Sequence, residues 1–183
     1  GNGLDVGYKI IQNLAVKSSS EYYTIHTGEA TDTDYADDNR ESAFYHDVLN
    51  GGKGHLFKTT LQLSYQAFKI EQFSINPIIG AAYRKQEFYL LESLSNPGTA
   101  GLKSTYQTTY SGIDLGGELV FSNQSFAISA GLLAGFYKYS AKANWNLIPD
   151  FEKPVSFIHK ANSFSIAGNL NLSVPLNKNL KLE

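Results

Sequence analysis

Asp32-Thr33-Asp34-Tyr35 puts two carboxylates on one face of an extended segment, because strand side chains alternate with a period of two. Carboxylates this close repel. One then holds its proton more tightly than usual and is suited to deprotonate a bound water as a general base. The plainer reading is an acidic strand end entering a solvated loop that also carries Asp37 and Asp38. A second set is Arg84, Asp114 and Glu118, joined by Lys58 and Lys9; parity places all of them on the polar side of their strands. Their chemistry is charge pairing, since an unpaired buried charge is costly, and Arg84 is expected within salt-bridge reach of Asp114 or Glu118. Trp145, the single tryptophan, and His159 flank a stretch with Pro149 and Pro154 and form a candidate binding surface. The alternative for Trp145 is an anchor at a membrane interface. His26, His46, His55 and His159 have no metal-ligand spacing and the chain has no Cys, so no metal site is expected. No phosphate loop, nucleophile elbow or dinucleotide fingerprint is present, so no cofactor is expected.

The elements that must position these residues are long strands. From Tyr106 to Trp145 a polar turn at 122–124 joins two segments of roughly 16–20 residues, against about 5–6 for ordinary strands. Ile113, Leu115, Leu119 and Phe121 share one face, and Tyr110, Asp114 and Glu118 the other. On the next strand Phe126, Ile128, Ala130, Leu132, Ala134 and Phe136 oppose Ser125, Ser129, Gly131 and Gly135. An apolar outside and a small or polar inside is the alternation of a transmembrane β-barrel. A soluble barrel with an apolar interior would show the same alternation, and strand length favours the membrane.

Along the chain, Leu4–Val16 and Glu21–Asp34 are expected strands around a turn at 17–20. Phe57–Ala67 and Phe73–Leu91 follow around a turn at 69–72, with Pro77 as contrary evidence in the second. Phe164–Val174 is the seventh strand, 177–179 a turn, and Leu180–Glu183 the start of an eighth. Long loops lie at 35–55, 93–104 and 146–160. Short turns alternating with long loops match an outer-membrane barrel, whose turns are periplasmic and whose loops are extracellular. The expectation is one domain over residues 1–183, an all-β, antiparallel, up-and-down transmembrane barrel with about eight strands in this chain and ten in the parent protein.

Composition agrees. No run of apolar residues is long enough for a transmembrane helix, while 12 Tyr and 11 Phe suit aromatic girdles. A net charge of −2 argues against nucleic-acid binding. The start at Gly1, with no initiator Met and no signal peptide, reads as a mature or trimmed segment.

Asp32-Thr33-Asp34-Tyr35, lying at a strand top before a long loop, resembles the Asp-x-Asp-aromatic motif of the omptins, ten-stranded outer-membrane proteases. The order of the strands from Phe57 to Tyr139 is also similar to theirs. The resemblance implies that Asp32 and Asp34 act with an Asp-x-His pair on the facing wall. The matching stretch here, Tyr139 to Asn146, has neither Asp nor His and offers Lys142, which would neutralise an Asp. The expected function is therefore a non-proteolytic barrel of the bacterial outer membrane, acting through its surface loops as a structural, adhesive or assembly component. An endopeptidase using Asp32 and Asp34, and a soluble lipocalin-like barrel for an apolar ligand, are the alternatives. Expected partners are the lipid bilayer, lipopolysaccharide and a protein at the extracellular loops.

Overall fold

The computed structural model describes residues 1–93, 95–175 and 181–182. They form eleven strands and one 3-10 turn: β1 (Asn2–Ile11), β2 (Leu14–Ile25), β3 (Glu29–Tyr35), β4 (Ala43–Asn50), β5 (Gly54–Tyr65), β6 (Phe68–Ile70), β7 (Phe73–Leu91), the 3-10 turn Pro97–Thr99, β8 (Lys103–Ser122), β9 (Ala127–Asn144), β10 (Phe157–Pro175) and β11 (Lys181–Leu182). The sheet runs β1-β2-β5-β7-β8-β9-β10-β11, antiparallel throughout. Its wall curls, so that Asp5 of β1 and Asn169 of β10 line one cavity with residues of β2, β5, β7, β8 and β9. Among the described residues no ladder joins β1 to β10 or β11, so the barrel is open along that seam.

The alternation decides which way the wall faces. Leu4, Leu61, Ile79, Leu119, Leu132 and Leu170 are all exposed on the outside. Their neighbours Asp5, Thr60, Gly80, Asp114, Gly131 and Asn169 turn inward, and pairing carries this parity across β1, β2, β5, β7, β8, β9 and β10. A lipocalin-like soluble barrel would place the apolar face inside, the reverse of what is found. Aromatic side chains gather at both ends of the apolar face. Phe73, Phe121 and Phe126 meet as tilted rings at one end, with centroids 5.0 and 5.8 Å apart. Phe57 meets Tyr83 and Phe136 meets Phe164 at the other. Between Ile113 and Phe121 the band runs about 27 Å along β8, which the usual strand tilt reduces to about 20 Å in height, close to the apolar belt of an outer-membrane barrel.

Three expectations need correction. The first turn lies at Gln12-Asn13, not at 17–20; Lys17 to Ser20 run inside β2 and pair with Gly7 to Leu4. Alternation does not fix a turn within a continuous alternating run, so the reversal falls several residues from the expected one. Glu21–Asp34 is two strands, because the chain leaves the wall after Ile25 and returns as a separate hairpin. The expected structureless loop at 35–55 contains the second strand of that hairpin, β4, which pairs with β3 from Glu29↔Asn50 to Tyr35↔Ala43. The alternation of short turns (12–13, 66–72, 123–126) with long connections (26–53, 92–102, 145–156) survives these shifts. Pro77 fits within β7 because pairing with β5 ends at Ile78 and pairing with β6 begins at Ile75, so its missing N–H falls in a break of that ladder. The turn expected at 177–179 lies outside the described residues; β11 pairs with β10 at Val174↔Leu182.

Candidate functional site

Two places gather polar side chains. The first is the lumen, where a cavity of about 450 Å³ is lined by charged residues. Antiparallel pairing sets Glu21 opposite Lys58 and Lys58 opposite Arg84. Lys58 Nζ donates to Glu21 Oε1 at 2.9 Å. Arg84 donates to the Tyr137 hydroxyl at 3.4 Å with its guanidinium 5.2 Å from the ring centre, and Tyr137 in turn donates to Asp114. Arg84 therefore reaches Asp114 through Tyr137, in place of the direct ion pair expected from the sequence. The cause is the small residues around it. Tyr137 pairs with Gly112, and a Cβ at Gly135 would collide with its ring, so the ring occupies the space between the two charges. Asp114 and Tyr137 are both about 5% exposed. Glu118 lines the same cavity. This arrangement fills and braces a narrow barrel.

The second place is the set of long connections above the wall. Asp32 and Asp34 stand on β3, opposite Asp47 and Tyr45 of β4. Alternation puts these four side chains on one face with Leu49, which is 2% exposed. Burial first, then the charges of Asp34 and Asp47, raise the Asp32 carboxyl above its ordinary value. Asp47 behaves oppositely. Its Oδ2 accepts from the Asn96 amide at 2.8 Å, and its Oδ1 from Ser93 Oγ at 3.1 Å and the Val48 N–H at 2.8 Å. These donors, Asn96 foremost, hold it below the usual carboxylate range. Asn96 also caps the 3-10 turn, its Oδ1 accepting from Gly98 N. The β3–β4 hairpin is thereby fastened to the 92–102 connection.

Asn146 fastens that connection to the next. Its Oδ1 accepts from the Lys103 N–H at 2.8 Å and its amide donates to the Gly101 carbonyl at 2.9 Å. Trp145 is half-buried, its N–H donating to Ser156 Oγ, while Lys153 closes the same loop by donating to the carbonyls of Trp145 and Ile148. Trp145 directly follows the end of β9, nine residues along the chain from Phe136 of the aromatic row. His159 is exposed on β10 and stacks on Phe157 at 4.9 Å. Lys142 points outward, on the parity of Phe136 and Lys138, and so does not face the Asp pair. The four imidazoles do not converge on Asp32 and Asp34: His46 bonds Thr33 at 3.0 Å on the other face of the hairpin, and His159 pairs with Ala141 in the wall. Sequence reasoning does not single out Asp47 or Asn96, and it reaches Asn146 only as a member of the loop around Trp145; Asn96-Pro97-Gly98 is a turn signal that marks the place of Asn96 but not its bond to Asp47.

An outwardly apolar, inwardly polar antiparallel sheet with long connections on one side defines an outer-membrane β-barrel protein. The family model described as Pom, Protochlamydia outer membrane protein, matches residues 3–182, and the chain belongs to that family. Its place is the bacterial outer membrane. No curated protein matches the sequence.

Proposed function

We propose that the protein is a non-proteolytic component of the cell surface, structural or adhesive, that works through a head assembled from its three long connections. The supporting observation is that these connections are fastened to one another by Asp47 and Asn146, so the head presents one preformed surface. A preformed surface binds without first losing loop entropy. The omptin-like alternative needs an imidazole facing Asp32 and Asp34, whereas His46 turns to the opposite face and bonds Thr33. The test compares cells displaying the intact protein with cells displaying a variant whose residues 28–51 are replaced by a short Gly-Ser turn. Attachment to matrix-coated surfaces and hydrolysis of a quenched peptide library are both measured. Attachment should depend on residues 28–51, with no peptide cleaved. Equal attachment would remove the adhesive reading. Cleavage that disappears in Asp32→Asn would restore the peptidase.

A further inference from the structure

We propose that the outer face of β9 and β10, directly above the apolar belt, binds the phosphate groups of lipopolysaccharide through Lys138, Lys142 and Lys160. Pairing sets Lys138 opposite Asn162, Ser140 opposite Lys160 and Lys142 opposite Ile158. Lys160 is therefore the diagonal neighbour of both other lysines, at the roughly 7–8 Å typical of such pairs. All three are exposed. Lys138 Nζ is already turned sideways along the wall, donating to Asn162 Oδ1 at 2.8 Å.

Nothing on this face neutralises them. By parity the outer face of β8 shows Gln107, Thr109 and Ser111 at this height, and no carboxylate stands on the outer face of β8, β9 or β10 among the described residues. On β7 Glu87 faces the same side, but Gln107 separates it from Lys142, and it lies 4.0 Å from both Lys85 and His55. Lys160 is repelled by a like charge on each diagonal, and an anion among the three removes that repulsion while accepting charge-assisted hydrogen bonds.

Position selects which anion. The row immediately below the lysines holds Phe136 and Phe164, 5.3 Å apart, and below them lie exposed Leu132, Ile166 and Leu170. A molecule with acyl chains on that apolar surface has its headgroup at the height of the lysines, whose long apolar stems are suited to such an interface. The long connections are on this side, which makes it the outer leaflet. A phosphorylated glycolipid matches both rows; a free anion uses only the upper one.

The test uses the folded chain in detergent, titrated with bisphosphorylated lipid A and with its dephosphorylated form, with bound lipid counted by native mass spectrometry. K138Q/K142Q/K160Q, K138R/K142R/K160R and the control K69Q are measured beside the parent. The triple Gln variant should bind bisphosphorylated lipid A about a hundredfold more weakly, taking roughly fivefold from each lysine near a charged lipid surface. The triple Arg variant and K69Q should bind as the parent does, and the dephosphorylated lipid should bind the parent weakly. Retention by the triple Gln variant, or equal binding of the dephosphorylated lipid, overturns the proposal. Full displacement by millimolar inorganic phosphate also overturns it, since the site would then take a free anion. None of these readouts depends on the head, so they stand or fall separately from the function proposed above.

Discussion

From Phe73 to Val174 the wall keeps one unbroken two-residue alternation across four strands, and each ladder pairs residue for residue without a shift. From Glu29 to Asn50 the hairpin of the head has a register shift at Asp34/Tyr35 and meets the wall's ladder at a single pair, Asn50↔Leu91. The wall is specified redundantly: every outward position repeats the same instruction, and slipping by one residue would turn the whole apolar set inward. The head is specified by a few side chains whose partners lie far away in sequence, such as Asp47 with Ser93 and Asn96. Regular periodic structure tolerates the loss of one polar contact. A loop assembly does not, because few others hold it.

The sharpest way to break this comparison is to put charge into the belt. Leu132 is 61% exposed midway along the outer face of β9. Leu132→Arg should destabilise the barrel by about 2–4 kcal/mol near the bilayer midplane, read from folding titrations in lipid vesicles. Ala130→Arg, on the same face, should behave alike. Ser129→Arg should act by crowding the lumen instead, because Ser129 shares inward parity with Val120 and Asn171. Unchanged folding of both belt variants would mean that this face does not meet lipid.

A smaller and more local effect is expected from Asn96→Ala. It removes the charge-assisted bond to Asp47 and the cap of the 3-10 turn together. A hydrogen bond to a charged group contributes about 1.5–3 kcal/mol. That loss should appear as faster amide exchange in 43–50 and 95–102, with the barrel's own melting unmoved. Equal loosening of wall and head would show that the two regions unfold as one unit and that the contrast drawn above is wrong.

What the sequence made legible follows the same division. Ile113, Leu115, Leu119 and Phe121 alternate with Asp114 and Glu118, and that alone gave the face, the strand length and the all-β outer-membrane class. The turn at Gln12-Asn13 is hidden because alternation continues on both sides of it and Lys17-Ser18-Ser19-Ser20 is more polar. The hairpin at 29–50 read as a loop because its strands are short, acidic and interrupted. The Arg84–Tyr137–Asp114 chain was half visible: parity brought the charges to one side, but whether a tyrosine would fit between them depended on the space left by Gly112 and Gly135. Asp47 looked like one more loop acid, and nothing near it in sequence announces Asn96 as its donor.

The finest test separates two carboxylates on the same face of the hairpin. Asp47 is held below its ordinary value, so its contribution to the head is present above the unfolded-state value and is lost as pH falls through the folded one. Asp32 is held above its ordinary value, so its contribution is present at low pH and is lost as pH rises through the folded value. Acidification from neutral pH should therefore act in two steps of opposite sign. Asp32 takes up its proton first, which relieves the repulsion from Asp34 and Asp47 and tightens the head. Asp47 follows at lower pH, weakening its bonds to Asn96 and Ser93, and the head loosens. The chain has no Cys, so a fluorophore attached through A43C on the exposed start of β4 reports the hairpin alone. Order against pH should rise and then fall. Asp32→Asn removes the rising limb and leaves the fall, with the barrel folding as before, whereas Asp34→Asn should only shift the rise to lower pH. A profile that Asp32→Asn leaves unchanged would mean that Asp32 feels neither the burial nor the neighbouring charges assigned to it. The opposed behaviour of Asp32 and Asp47 would then have no physical basis.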